Sequence, residues 1–387
     1  MTTTSTDRRL WTVLALLFTT GWATNHFVAM MPVLHERNGI GDAALEVAFG
    51  IYAIGLLPGL LTGGGISDRI GRKPVVLTGA TGAALGNLLM LLWHTEPGVI
   101  VGRFVVGLGV GLAVSAGTAW TADLAGKKGT VFAGATLTAG FAVGPLVSGL
   151  IAQFTAGAAL VAPFVLTVAG SLAAVAAGFA VPNSRREPSA VAHADPARAT
   201  SRTLRRALAT SLPMSLWVFS AVTLSVVTMA ARVSSFEGPW VPGVAAVLAL
   251  GSGVISQDLA RRGVWGPRAG VLGALLVTAG LTVVAVGGSG PSPAEFIVAS
   301  ILLGSGYGLC LREGLLDVET YAPAERLGLA TGIFYVGTYL GFGLPVLLRA
   351  LAPSFGITAP IVVLAVMAAG SAAVRAAQIR GGMLAGR

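Results

Sequence analysis

Long apolar stretches recur along the whole chain, and they constrain its fold more than any other feature. A helix that crosses the hydrocarbon core of a bilayer, roughly 30 Å thick, needs about 20 apolar residues, and segments of this length occur repeatedly. The buried strands of a soluble enzyme are apolar runs of only about 4–8 residues. Charged residues make up 11% of the chain, whereas a soluble domain carries about 25%. The sequence therefore predicts an all-α membrane protein.

Twelve spans are predicted, separated by mostly short polar connections. The first span is too long for the core of a cleaved signal peptide, so we expect it to be retained. The predicted spans cover residues 10–34, 45–65, 75–93, 97–121, 129–153, 159–181, 206–231, 238–257, 269–287, 294–317, 328–351 and 356–378.

A polar, arginine-rich segment at residues 182–205 divides the spans into six and six. We predict an N-terminal six-helix bundle over residues 1–181, a cytoplasmic linker over 182–205 and a C-terminal six-helix bundle over 206–387. Related halves of six spans are a known plan of transporters.

The two halves share a pattern of small residues. Gly107-Leu-Gly109-Val-Gly111 in span 4 matches Gly304-Ser-Gly306-Tyr-Gly308 in span 10, and Pro145 in span 5 has a counterpart in Pro345 of span 11. The pattern predicts that the two bundles are pseudo-symmetric.

The distribution of basic residues predicts the orientation of the chain. With a cytoplasmic N-terminus, 20 of the 25 lysines and arginines fall on the cytoplasmic side, Arg375 among them, and Arg103 and Arg312 lie within spans. Only Arg37, Arg232 and Arg349 fall outside. Cytoplasmic loops of membrane proteins carry this excess, so we predict a multi-pass protein of the cytoplasmic (inner) membrane with both termini inside.

The net charge of +9 does not indicate a nucleic-acid partner, because the basic residues lie between apolar spans and not on one soluble face. The expected partners are the lipid bilayer, protons and a small-molecule substrate, with the chain a monomer. The single cysteine, Cys310, excludes an internal disulfide and any cysteine-rich metal site.

The connection between spans 2 and 3 reads Gly64-Gly-Ile-Ser-Asp68-Arg69-Ile-Gly71-Arg72-Lys73-Pro74. Gly64 permits the close approach of a neighbouring helix, and Gly71 allows a tight turn. Asp68 can meet the N-terminus of a helix, where the dipole favours an anion. In pattern and position the segment closely resembles the loop that marks the major facilitator superfamily.

This resemblance implies an all-α fold of twelve transmembrane helices, in two six-helix bundles around a central cavity. It implies that the loop acts as a conformational switch and stabilises the outward-open state. It further implies that Asp68 contacts the start of span 11, near Leu327 and Gly328, and that Arg72 pairs with an acid at the end of span 4, where Asp123 stands.

Two further segments extend the resemblance. Arg103-Phe-Val-Val-Gly107-Leu-Gly109 is similar to a span 4 motif of the family whose arginine is implicated in proton transfer. In span 5, Gly140-Phe-Ala-Val-Gly144-Pro145-Leu-Val-Ser148-Gly149 is similar to a motif associated with drug:proton antiporters. A general packing face of small residues is the alternative interpretation of the span 5 segment.

Ionisable groups inside spans are costly and are therefore candidates for proton or substrate coupling. In the first half these candidates are Asn25, His26 and Arg103. Histidine titrates near physiological pH, and Arg103 lies at nearly the depth of Asn25, so Arg103 could meet Asn25 or His26. The alternatives are a histidine hydrogen-bonded between helices and an arginine that snorkels outward.

In the second half the candidates are Arg312, Glu313 and Asp317 of span 10. Glu313 and Asp317 share one helix face, whereas Arg312 and Glu313 are adjacent and do not. The alternative is that this end of span 10 already lies in water.

These features predict a secondary transporter that works by alternating access, with proton-coupled efflux of a small molecule. The alternatives are import of a metabolite by a proton symporter or a uniporter and, more remotely, a membrane sensor or enzyme. No phosphate-binding G-x-x-x-x-G-K-[ST] loop occurs, and we predict no catalytic residue, cofactor or metal. Two arginines in the predicted cavity, Arg103 and Arg312, favour a neutral or anionic amphiphile.

Overall fold

The computed structural model describes residues 2–184 and 202–385, and these residues form helices, turns and short connections without a strand. The prediction of an all-α fold is therefore confirmed for the described part of the chain. Its helices are α1 Thr2–Asn38, α2 Asp42–Ile70, α3 Arg72–Leu92, α4 Glu96–Gly126, α5 Lys128–Phe154, α6 Ala162–Gly178, α7 Leu204–Met229, α8 Val241–Arg262, α9 Arg268–Gly287, α10 Pro293–Tyr321, α11 Leu327–Phe355 and α12 Thr358–Arg380.

Eleven of these helices are long and apolar enough to cross a membrane. The remaining one, α6, has 17 residues and is shorter than its predicted span, 159–181. At the rise of an α-helix, α6 is about 26 Å long. A 3-10 turn at Ala156–Ala158 lies in the connection that precedes it.

Regular helical geometry is interrupted at three places in the described chain. Between α4 and α5 the chain has non-helical dihedral angles at Ala125 and Gly126, which separates two otherwise continuous spans. The last turns of α7, Leu224–Met229, are π-helical, and α11 contains a 3-10 segment at Leu340–Gly343. These changes of hydrogen-bond register were not predicted, because apolar composition does not encode them.

The described residues divide into two compact units. The first unit contains α1 to α6 and the segment Gly238–Val244, and the second contains α7 and the chain from Ala245 onward. Residues 185–201 of the predicted linker lie outside the described part, so the predicted boundaries 182 and 205 stay a prediction.

The repeated glycines have equivalent neighbours within the two units. A Cβ atom at Gly107 of α4 would overlap the backbone of α2 at Tyr52, and one at Gly109 would overlap α3. In the second unit a Cβ atom at Gly304 of α10 would overlap α8, and one at Gly306 would overlap α9. The glycines therefore allow the backbones of α4 and α10 to approach two neighbours each.

A pair of indole hydrogen bonds follows the same repeat. Trp22 of α1 donates from Nε1 to the Thr167 hydroxyl of α6 at 3.0 Å. Trp217 of α7 donates to the Ser371 hydroxyl of α12 at 2.9 Å. In each unit the first and last helices are thus joined by the same kind of contact.

Candidate functional site

The loop between α2 and α3 is organised around the Arg72 guanidinium, which is only 3% exposed. Its Nη1 atom lies 2.6 Å from Asp68 Oδ1 and 2.7 Å from the Ser67 hydroxyl. Its Nε atom donates to Asp123 Oδ2, in α4, at 2.9 Å. Because charge-assisted hydrogen bonds of a planar guanidinium are directional, Arg72 fixes the end of α2 against α4.

The chain that follows α6 holds this loop from the other side. The Arg72 amide donates to the Ser184 carbonyl at 2.9 Å, and Asn183 accepts from the Lys73 amide at 3.1 Å and donates to the Ile70 carbonyl at 3.3 Å. Sequence reasoning did not predict Asn183 or Ser184, because both lie in a polar segment interpreted as linker.

The remaining loop residues have different surroundings. Gly71 has φ +100°, which favours glycine, and a Cβ atom there would overlap the Asn183 side-chain amide. Both the backbone conformation and the available space therefore require glycine. A Cβ atom at Gly64 would meet only the Ser115 hydroxyl, at 3.4 Å. Lys73 donates to the Phe179 carbonyl at 2.5 Å, whereas Arg69 is exposed. The expected contact of Asp68 with the start of α11 stays a prediction.

A second charged group lies inside the second unit, where Glu313, Asp317 and Arg375 are each 0% exposed. Arg375 of α12 donates two hydrogen bonds to the Asp317 carboxylate, one of them at 3.2 Å, and one to Glu313 Oε2 at 3.3 Å. Arg312, 22% exposed, is ion-paired with Glu313 Oε1. We call these four residues the charge cluster.

The structure corrects two interpretations of this region. This part of α10 does not lie in water, since Glu313 and Asp317 are fully buried. Arg375 is not a residue of a cytoplasmic segment, as the charge distribution had indicated, but a buried partner of both carboxylates. A signal was present in the sequence, because Arg375 stands more than one turn before the end of a helix with apolar neighbours.

The first unit has an apolar core where the second has the charge cluster. The repeat that pairs Gly107 with Gly304 also pairs Ala116 with Glu313 and Trp120 with Asp317. Ala116 and Trp120 are 0% exposed within a core of aliphatic side chains. Packing of this helix type therefore does not require charged residues at these positions.

The three candidates of the first half have separate hydrogen-bond partners. Arg103 is 1% exposed, donates from Nη1 to the Thr24 carbonyl at 2.7 Å and lies 4.6 Å from the centroids of the Phe27 and Tyr52 rings. Asn25 instead donates to the Phe141 carbonyl in α5 at 2.7 Å. No hydrogen bond between described residues joins Arg103 to Asn25 or His26, so their expected contact stays a prediction, and the burial of Arg103 shows that it does not snorkel outward.

His26 is buried between α1, α3 and α6. Its Nε2 atom lies 2.6 Å from Asn87 Oδ1, and its ring meets Phe164 edge-on at 4.9 Å. The Asn87 amide nitrogen donates to the Ala23 and Ala83 carbonyls, so the amide oxygen faces His26 and the histidine donates from Nε2. This arrangement is a hydrogen bond between helices.

The small residues of α5 lie at helix contacts of the first unit. Cβ atoms at Gly140 and Gly144 would overlap the backbone of α1 near Phe18 and Trp22, and one at Gly149 would overlap Pro239. Pro145 lies inside the helix. The geometry of the motif is that of close packing, and its association with antiport stays a prediction.

Metal binding has no support in the described residues, among which no group of three or more His, Cys, Asp or Glu side chains could hold an ion.

A family model described as Major Facilitator Superfamily matches residues 13–341. The protein named Multidrug resistance protein MdtL of Klebsiella pneumoniae (strain 342) is 35% identical over 98 residues, which cover 25% of this chain and 24% of that protein. The protein of the same name from Shewanella oneidensis is 33% identical over 98 residues. The chain thus aligns with about a quarter of the length of these relatives.

Solved structures of similar fold include a peptide transporter and a POT family transporter. A mutant of the peptide transporter POT in complex with alafosfalin has a TM-score of 0.77 and 16% identity, over 97% of this chain and 96% of that one. A POT family transporter in complex with 5-aminolevulinic acid has a TM-score of 0.76 and 14% identity, over 96% of both chains. At these identities the likeness concerns the fold alone.

Proposed function

The chain belongs to the Major Facilitator Superfamily, a family of multi-pass membrane transporters, and we propose that it exports a small molecule across the cytoplasmic membrane in exchange for protons. Efflux is supported by the relatives named as multidrug resistance proteins and by the α5 segment that resembles an antiporter motif. The cytoplasmic location of both termini belongs to the same proposal and rests on the distribution of lysine and arginine.

The observation that carries the proton coupling is the burial of Glu313, Asp317 and Arg375 inside spanning helices. Charged side chains in a membrane interior are costly and mark ion pathways and proton relays. The two negative carboxylates and the two positive guanidiniums give the charge cluster a net charge of zero. A bound proton leaves an unbalanced positive charge in a medium of low dielectric constant, which favours a rearrangement of the cluster.

Within the charge cluster, we assign the coupled proton to Glu313. Both Asp317 oxygens accept hydrogen bonds from Arg375, so one guanidinium binds the whole Asp317 carboxylate. Glu313 is shared between Arg375 and Arg312, and Arg312 is the member of the charge cluster that reaches a partly exposed surface. A proton on Glu313 releases Arg312 and loosens the ionic link between α10 and α12, which favours one state of an alternating-access cycle.

The loop at Arg72 supplies the conformational control in this proposal. Its ion pairs with Asp68 and Asp123 join α2, α3 and α4 at one end of the first unit. A set of paired charges at the end of helices is a two-state element that is either formed or broken. We propose that Asp68, Arg72 and Asp123 stabilise one of the two access states.

Import of a metabolite by symport or uniport is the alternative. Its support is the fold likeness to the named peptide transporters. A membrane sensor or enzyme is the remote alternative, and no observation on the described residues favours it.

The decisive experiment measures solute and proton movement together in sealed vesicles. Inverted vesicles with an acidic lumen are given a panel of amphiphilic solutes, and a pH-sensitive dye reports the lumen. We expect solute to accumulate in the lumen while protons leave it, and right-side-out vesicles to show the opposite direction. Solute and protons moving in the same direction establish symport, and solute movement without any proton movement overturns the coupling.

A further inference from the structure

We propose that five aromatic residues of the second unit form the binding site for a planar aromatic compound that carries a hydroxyl or carbonyl group. This inference assigns a substrate class to the transport proposed above and rests on that function. The five residues, which we call the aromatic wall, are Phe219 of α7, Tyr307 of α10, and Tyr335, Tyr339 and Phe342 of α11.

Most ring pairs of the aromatic wall lie close to parallel, whereas Phe342 meets Phe219 edge-on at 62°, with centroids 5.1 Å apart. The Phe219 ring is stacked on Tyr339 with centroids 4.9 Å apart and on Tyr307 at 6.3 Å, with 29° between the planes in both pairs. Tyr339 and Tyr335 are 6.3 Å apart at 30°. Phe219, Tyr335, Tyr339 and Phe342 are only half-buried. Ring faces therefore remain accessible, and a further flat ring extends the stack at distances that aromatic pairs prefer.

The position of the aromatic wall along its helices suits a transported ligand. Tyr307 stands at the middle of α10, Pro293–Tyr321, and Tyr339 stands near the middle of α11, Leu327–Phe355. The middle of a spanning helix lies near the bilayer midplane, where transporters place their substrate sites.

Two departures from regular helix occur at this place. The π-helical turns Leu224–Met229 begin five residues after Phe219, and the 3-10 segment Leu340–Gly343 contains Phe342. Such turns redirect side chains and are frequent at functional sites. A Cβ atom at Gly341 would overlap the backbone of Ser220, so the 3-10 segment brings α11 directly against α7.

The aromatic wall also contains two tyrosine hydroxyl groups that make no hydrogen bond to a described residue. Tyr307 is 6% exposed, and within the described ranges its hydroxyl makes no hydrogen bond. The Tyr335 hydroxyl likewise has no hydrogen bond to a described residue. A tyrosine hydroxyl both donates and accepts hydrogen bonds, so a hydroxyl or carbonyl on the ligand supplies a partner for it.

The internal repeat shows that the aromatic wall is not a requirement of helix packing. The repeat pairs Trp22 with Trp217, Gly107 with Gly304 and Pro145 with Pro345. The residues of the first unit that it pairs with the aromatic wall are all small or aliphatic: Thr24, Val110, Ala135, Ala139 and Ala142.

Equilibrium binding to the purified full chain in detergent micelles tests the site without requiring transport. The probes are 2-naphthol and its saturated analogue decahydro-2-naphthol, each corrected for partitioning into empty micelles. We expect 2-naphthol to bind more tightly, and Phe219→Ala and Tyr339→Ala to weaken it about tenfold. Phe355→Ala, at the exposed end of α11, is the matched control and should bind as the wild type does.

Tyr307→Phe keeps the ring and removes the hydroxyl, so it tests the polar part even if the alanine variants fold poorly. Wild type should prefer 2-naphthol to naphthalene, and Tyr307→Phe should bind both equally. The proposal is overturned by equal binding of the saturated analogue, by equal loss in Phe355→Ala, or by no binding of 2-naphthol. Any of these results would contradict the proposed aromatic site but not the proposal of proton-coupled transport. Conversely, binding of 2-naphthol without any flux in the vesicle experiment would contradict the transport proposal but not the binding site.

Discussion

Arg375 of α12 donates two hydrogen bonds to the Asp317 carboxylate of α10, and neither side chain is exposed. The same guanidinium also donates to Glu313 and to the Pro267 and Thr210 carbonyls at 3.4 Å. One side chain of α12 thus binds α10, the start of α7 and the connection before α9, which makes it a central link of the second unit.

Replacing Arg375 alone should destabilise the protein strongly. Arg375→Gln leaves the Asp317 charge buried without a cation, and removing one partner of a buried pair costs about 3–5 kcal/mol. We expect a clear fall in the thermal unfolding temperature in detergent. The double variant Asp317→Asn with Arg375→Gln removes both charges and should regain much of the loss. Losses that simply add would show that the two side chains do not act as a pair.

Glu313→Gln should abolish proton coupling, and it should destabilise the protein less than Arg375→Gln does, because the Asp317–Arg375 pair remains. The amide keeps the size of the side chain but cannot bind or release a proton, so solute-driven movement of protons should fall to the background of empty vesicles. Glu319→Gln is the matched control, since Glu319 is exposed on the same helix. The measurement is the pH dependence of transport in vesicles, and a pH profile unchanged by Glu313→Gln would exclude Glu313 as the proton site.

The sequence predicted the helices well and the charge cluster only in part. Helix positions could be predicted because the length of an apolar run is a local property that the bilayer thickness dictates. Glu313 and Asp317 were recognised because acids are rare inside a span. Arg375 was missed because a cation near the end of a span is usually a topological signal, and its pairing with α10 joins helices distant in the chain.

Arg72→Lys should lower transport by about tenfold or more. A lysine ammonium cannot bind Asp68, Asp123 and Ser67 together as the guanidinium does. Each lost hydrogen bond to a charged group costs about 1.5–3 kcal/mol. Transport of one solute, normalised to the amount of protein in the membrane, is the measurement.

Arg69→Lys is the control for this substitution, since Arg69 is exposed in the same loop. Equal activity of both variants would show that the loop requires only positive charge.

Asn183→Ala should loosen the loop without breaking its ion pairs. Asn183 receives the Lys73 amide hydrogen and covers Gly71, so we expect faster hydrogen exchange of the Lys73 amide. The Arg72 amide, which donates to Ser184, should change less. Asn38→Ala, at the exposed end of α1, controls for general loosening, and faster exchange throughout α3 would instead indicate a loss of fold.

Other parts of the first unit illustrate why site residues were harder to predict than helices. Asn25 and His26 are adjacent, so the helix directs them to different neighbours, α5 and α3. Arg103 was expected at a cavity because of its depth, but its guanidinium contacts two backbone carbonyls and two aromatic rings. Depth in the membrane follows from residue number, whereas the direction of a side chain depends on how helices are rotated.

The last prediction concerns His26. Histidine as a residue type suggested proton transfer, whereas the hydrogen bond of His26 to Asn87 indicates a structural role. His26→Gln retains a donor toward Asn87 and should keep both stability and proton-coupled transport. His26→Leu leaves the Asn87 oxygen unsatisfied at a cost of about 1–3 kcal/mol, so it should lower the unfolding temperature while the pH profile of transport stays the same. A stable His26→Gln protein with lost proton coupling would reverse this assignment and move the proton pathway into the first unit.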